Sequence, residues 1–351
     1  MSRVGTPARA TGAAPWTALG LSVVLLTAAG LASLFWGSRT VDPTVVAEVL
    51  TRIPGILLGA DSGASADIET AVVLSRVPRT ITAVLVGAAL AVAGAGLQGI
   101  SRNPLGDASL LGLNSGAAAG IVIGLGWFGA TTSWEMGGAA LIGTAVAAAL
   151  VFGLSQLGGA TASPVGLVLS GAAVNAGFIA VTSAIVLTNS QVLDRFRYWN
   201  VGSVSRADAT DLAAALPLIL TGLALVIVGS SGLNAMALGD DLAHGLGVDL
   251  RLQRLIVFAG VVLLAGAATA AAGPIAFVGL LIPHTVRRLV GGDYRWIVVL
   301  CLLLGPALLL TADVIGRIIA PPQEIYVGIM TVVLGVPMLL VLLRRGKGVS
   351  L

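Results

Sequence analysis

Residues 237–254 read ALGDDLAHGLGVDLRLQR. They gather Asp240, Asp241, His244, Asp249, Arg251 and Arg254 into the longest polar interruption in the C-terminal two-thirds of the chain. Titratable groups at that density invite metal ligation, acid–base chemistry, or ion pairing with a partner. Metal ligation lacks donors: His244 and His284 are the only histidines, forty residues apart, and Cys301 is the only cysteine, set in an apolar run. One cysteine builds neither a disulfide framework nor a thiolate site. No HExxH or GxSxG constellation supports an intramembrane or surface enzyme. No G-x-x-x-x-G-K-[ST] loop supports nucleotide binding by this chain. Ion pairing and contact remain. Gly239, Gly245 and Gly247 divide the stretch into short pieces, which reads as one or two short helices outside the membrane, a handle for another protein. An ordinary solvated loop between two spans has the same composition.

The elements that position this stretch are apolar. The chain has 351 residues, 57% of them hydrophobic and only 10% charged, where a soluble domain carries about 25%. The fold class is therefore an all-α polytopic membrane protein with about ten transmembrane helices, each needing ~20 apolar residues. The domain expectation is one transmembrane domain over residues 16–345, between short cytoplasmic tails at 1–15 and 346–351. The first apolar run, 16–36, is too long for a signal-peptide core and lacks a cleavage site before a soluble domain. It reads as a retained span with Trp16 and Trp36 as interfacial anchors. Further spans are expected at 78–100, 108–128, 136–157, 165–187, 212–233, 255–272, 275–289, 296–315 and 326–343. Tyr198 and Trp199 suggest that part of the outer region 188–211 rests at the interface. In this order Arg3, Arg9, Arg102, Arg251, Arg254, Arg287, Arg288, Arg295, Arg344, Arg345 and Lys347 all fall inside, as the positive-inside rule asks. The basic residues are scattered rather than clustered, which argues against nucleic-acid binding.

Within the spans, Gly112, Gly116, Gly120 and Gly124 repeat every four residues, the spacing that lets two membrane helices touch backbones. GAALAVAGAG in the second span echoes AGAATAAAG at the end of the seventh, a weak sign of inverted halves. Ion-coupled transporters keep ionisable groups within their spans. Here only Asp313, near the end of the ninth span, comes close. No filter-like repeat suggests a channel. The class that survives is a conduit whose energy comes from a partner on the inside. Arg76 and Arg79 flank Pro78 at the expected outer start of the second span, and Arg317 stands on the same side. A cation at a helix N-terminus is disfavoured by ~0.3–1 kcal/mol. That cost points to another use, such as pairing with carboxylates of a docking protein. Snorkelling to lipid headgroups is the alternative.

Three ordered stretches carry a family resemblance. SRVPRTITAVLVGAALAVAGAGLQGISRNPLGDASLLGLNSGAAAG, residues 75–120, resembles the signature of the FecCD-type permeases, membrane subunits of ABC importers for iron–siderophores, haem and cobalamin. Residues 237–248 resemble that family's cytoplasmic coupling loop, and GPIAFVGLLIPHTVR, residues 273–287, its second long motif. The resemblance implies the fold of the cobalamin-importer permease, a type II ABC importer, in a bacterial inner membrane. It implies no catalysis and no cofactor in this chain. Implied partners are a second permease subunit, identical or paralogous, two cytoplasmic ATP-binding subunits and an extracytoplasmic substrate-binding protein.

Carried over residue by residue, the resemblance implies that Arg76, Arg79 and Arg317 meet glutamates of the binding protein. Leu238, Gly239, Asp240, Ala243, Leu246 and Gly247 fall in the part that couples to the ATPase. Asn103 and Leu105 fall in a cytoplasmic gate; Thr161 and Ser163 fall where the other gate would be, although Pro164 departs from the pattern there. His284 matches a Pro-His pair and is expected to be a packed helix-end histidine. Iron–siderophore is the expected cargo as the family's commonest, with cobalamin or haem as alternatives. A stand-alone secondary transporter is the rival outside the family.

Overall fold

A computed structural model describes residues 14–39, 41–57, 67–104, 106–108, 111–156, 164–205 and 209–345. Both expected tails, apart from residues 14 and 15, lie outside them. The described residues form thirteen helices: α1 Ala14–Phe35, α2 Pro43–Leu57, α3 Ile68–Ser101, α4 Leu113–Trp127, α5 Ser133–Gln156, α6 Pro164–Thr188, α7 Ser190–Asn200, α8 Ala209–Ala237, α9 Asp240–Gly245, α10 Leu250–Ala272, α11 Val278–Val290, α12 Tyr294–Ile319 and α13 Val327–Arg345. Seven of them, α1, α3, α5, α6, α8, α10 and α12, are long and apolar enough to cross a membrane. The shorter α4 and α13 are also apolar, and the 13-residue α11 stands where the eighth of the ten spans is expected.

The centre of the bundle is α3. It packs against α12, α10, α8, α11 and α1, and from Val86 to Ser101 every side chain or glycine is buried. Small residues make this possible. A Cβ on Gly94 would overlap the carbonyl oxygen of Gly279, so α3 meets the first turn of α11 backbone to backbone. Gln98, 1% exposed, donates to the carbonyls of Gly279 and Leu280 at 3.3 Å, which satisfies a polar group in the core. The two echoing glycine–alanine segments belong to α3 and α10, which pack on each other and run in opposite directions in the expected topology.

Several boundaries differ from the sequence expectation. The second span begins at Ile68, not at Pro78: Asp67 caps α3, and Pro78 sits inside it. The extra turns are held by a small outer core in which Val73 packs with Val46 and Val49 of α2. The third span begins at Leu113, because Gly112 adopts φ 72° as the residue before the helix. Gly112 thus leaves the helical stripe and backs onto α6, where a Cβ would lie 3.0 Å from the Asn175 nitrogen. Gly116, Gly120 and Gly124 do form a stripe, and it faces Ala139, Gly143 and Ala147 at the same spacing on α5. The seventh span starts at Leu250, capped by Asp249, which accepts from the Arg251 and Leu252 nitrogens. Trp199 is 6% exposed and packs beside Phe196, whereas Tyr198 is exposed. At the inner edge Trp16 meets Trp296 edge-on at 5.0 Å.

This packing has a direct consequence. Gly94→Ala must displace backbone and is expected to cost ~1–3 kcal/mol or more, while Gly20→Ala, with nothing within 4 Å of its Cβ, is expected to be neutral. Melting curves of the two variants in detergent check the contrast. Equal melting temperatures would contradict the close approach of α3 to Gly279.

Candidate functional site

Two arginine–carboxylate clusters lie at opposite ends of the bundle. The outer one is built by α3, the end of α1, the end of α12 and the turn before α13. Arg79 chelates Asp313, with Nε to Oδ2 at 3.0 Å and Nη2 to Oδ1 at 2.7 Å, and its Nη1 reaches Glu324 at 2.6 Å. Arg317 pairs with the other side of Asp313 at 3.0 Å, donates to the Ser33 carbonyl at 3.0 Å, and bonds the Ser33 hydroxyl at 2.8 Å. Arg76 donates to three backbone carbonyls, those of Leu34, Phe35 and Arg39, at 2.6–3.0 Å. Asp313 and Arg317 are each 1% exposed and Arg76 5%.

The three guanidiniums that the sequence offers to a docking protein are therefore each engaged by groups of this chain. Arg76 and Arg79 stand well inside α3, so the cost of a cation at a helix N-terminus does not apply to them. Three cations face two carboxylates, which leaves one positive charge in excess. Glu324 is the accessible edge of the cluster, its side chain 30% exposed against 14% for Arg79. Burial alone would raise the Glu324 carboxyl, but the hydrogen bond and charge of Arg79, with help from Ser38, hold it below the ordinary range. Because the folded carboxyl sits below its unfolded value of about 4.3, its contribution is complete at neutral pH. It is lost only as pH falls through the lowered value. Sequence reasoning missed Ser33 and Glu324 as partners. The Asp313–Arg317 spacing of four residues on one helix was the available signal; Glu324 offers none.

The inner cluster lies in the polar stretch 237–254. It resolves into the last turn of α8, the six-residue α9, a short connection and the first turns of α10. Leu238, Leu242 and Leu246, four residues apart, are 61%, 61% and 66% exposed. Three large apolar side chains thus stand exposed on a strongly polar stretch. Leu242 was missed, although the four-residue spacing from Leu238 to Leu246 includes it. Ala243 is fully buried in the chain's own core. Gly239 and Gly247 take φ 109° and 78°, conformations suited to glycine. Asp240 turns inward: it pairs with Arg102 and, at 3.2 Å, with Arg254.

Of the expected gate residues, Asn103 lies in the turn after α3, where its carbonyl accepts from the Gly106 nitrogen at 2.9 Å. Leu105, Thr161 and Ser163 lie outside the described residues. His284 sits in the middle of α11 rather than at its end, partly buried.

Comparison with known proteins bears on the family and the fold. A family model described as the FecCD transport family matches residues 25–345. The ferric enterobactin transport system permease protein FepD of Escherichia coli (strain K12) is 40% identical over 326 residues, which is 93% of this chain and 94% of that protein. The hemin transport system permease protein HmuU of Yersinia pestis is 39% identical over 279 residues, 78% of this chain and 82% of that protein. A solved inward-facing metal-chelate type ABC transporter superposes with a TM-score of 0.77 at 27% identity, covering 93% of this chain and 98% of that one.

Proposed function

The chain belongs to the FecCD transport family and is a multi-pass permease subunit of a bacterial inner-membrane ABC importer, and from that premise we propose that its cargo is a ferric siderophore. The observation that carries the cargo is the 40% identity with a ferric enterobactin permease across nearly the full length of both chains. A haem reading is favoured by the 39% identity with HmuU, over a shorter span. The permease itself performs no catalysis; ATP hydrolysis belongs to a separate subunit. An importer of this kind works with an ATPase and a substrate-binding protein. On our reading the assembly holds two permease chains, identical or paralogous, two ATP-binding subunits and one binding protein.

The binding protein docks over the outer cluster, drawn by its excess positive charge. Arg79 is the guanidinium nearest to offering itself to an incoming carboxylate, while Arg76 and Arg317 hold the platform. At the other end the ATPase seats on Leu238, Leu242 and Leu246, and Gly239 and Gly247 let α9 follow it. The turn at Asn103 then serves as a gate at the inner mouth. Helices that pack on glycine faces rock as rigid bodies between two packings, each favoured by a different state of the partners.

The test is uptake by cells in which this permease and its partners are the only route. Ferric enterobactin should accumulate, and excess unlabelled haem or cobalamin should not compete. Accumulation of haem or cobalamin in place of the siderophore would replace the cargo while keeping the family.

A further inference from the structure

The position of α9 is set weakly by its own chain. It is six residues long, glycines with positive φ stand at both ends, and among the described helices it packs only on α8 and α10. The polar tie between α9 and the core span runs through Arg102. This residue ends α3 in the left-handed conformation, φ 49° and ψ 29°, which a side chain other than glycine adopts at a cost. Held there, its guanidinium donates to the Met236 carbonyl in the last turn of α8 at 2.8 Å and bonds the Asp240 carboxylate at the start of α9. The same carboxylate accepts from Arg254 of α10 at 3.2 Å, whose side chain is 7% exposed. One carboxylate thus gathers the inner ends of α3, α9 and α10, with the end of α8 joined through Arg102.

We propose that Asp240 is a positioning residue that fastens the coupling helix to the inner end of α3 through Arg102, so that displacement of α9 moves the core span. The proposal rests on the reading that the ATPase acts on α9. It gives Asp240 an inward task, distinct from that of the exposed leucines that meet the partner. A strained residue held by its surroundings is the expected mark of such a junction. The far end of the same helix carries Arg76 and Arg79, so a shift imposed at Arg102 arrives at the outer cluster without any further moving part. α3 is suited to carry it: it is a continuous helix of 34 residues, about 51 Å at 1.5 Å per residue.

Exposure separates this role from simple stabilisation. The Arg102 and Asp240 side chains are 37% and 43% exposed, and an ion pair that open to solvent contributes little to stability. Arg102→Gln should therefore fold, retain the ATPase and hydrolyse ATP. The solute moved per ATP hydrolysed in proteoliposomes should fall on the order of tenfold. Adding Asp240→Asn to Arg102→Gln should cause no further loss beyond Asp240→Asn alone, because both act through one pair. Normal solute per ATP in Arg102→Gln overturns the proposal. So does a lower melting temperature or loss of the ATPase in that variant, since either assigns Arg102 to assembly. Leu242→Glu in the same assay keeps the two readings apart. If it blocks transport while Arg102→Gln does not, the seat of the ATPase stands and the link through Asp240 falls.

Discussion

Asp313→Asn is expected to cost the folded chain about 3–5 kcal/mol, the penalty for removing one partner of a buried ion pair. Asparagine has nearly the volume of aspartate, so packing is preserved and the loss is one of charge. Asp313, 1% exposed, is shared by Arg79 and Arg317, and both guanidiniums would be left without their central counter-charge. Glu324 cannot replace it, because it stands at the solvent edge, where its ion pair is with Arg79. Arg317→Met should cost less, since Asp313 keeps Arg79 and the substitution takes a buried cation away rather than leaving one without its counter-charge. Melting in detergent, followed by size-exclusion, checks the ranking. A variant Asp313→Asn that melts within about 1 kcal/mol of the parent would mean that the cluster is solvated.

The second large effect leaves the fold untouched. Leu242→Glu and Leu246→Glu alter side chains more than 60% exposed, and surface changes of this kind usually move stability by no more than about 0.5 kcal/mol. Seating a leucine in a partner's groove is worth about 1.5–3 kcal/mol, and each 1.4 kcal/mol is a factor of about ten in affinity. Either substitution should therefore weaken ATPase association at least about tenfold and abolish uptake. Ala243→Glu is the contrasting control: at 0% exposure it should lower the melting temperature instead. Co-purification of the ATPase and uptake are the readouts. Full uptake by both leucine variants would remove α9 as the coupling element.

The span order was legible because oil and arginine are distributed by the bilayer itself: apolar runs of sufficient length alternate with turns whose cations fall on one side. Boundaries failed where tertiary contacts override local punctuation. Pro78 looks like a helix start, yet Val73 packs on α2 and draws the helix outward to Ile68. Gly112 fits the four-residue stripe by spacing, but its positive φ takes it out of the helix. The arginines were legible as unusual residues and not as members of a network, because Arg79 meets Asp313 across 234 residues and Glu324 across 245. No local pattern encodes such pairs. The inner stretch was legible as a short helix between two spans. Its inward ties to Arg102 and Arg254 were not, since a carboxylate on a short helix has the same sequence appearance whether it faces a partner or its own core.

The central claim is that this chain provides a route and that nucleotide hydrolysis in a companion subunit provides the force. The most direct measurement is solute accumulation in proteoliposomes holding the purified permease, with and without the ATPase, under ATP or under an imposed ion gradient. Accumulation is expected only when the ATPase and ATP are both present and the binding protein delivers the cargo. Accumulation driven by the gradient alone, with no ATPase in the membrane, would contradict the account.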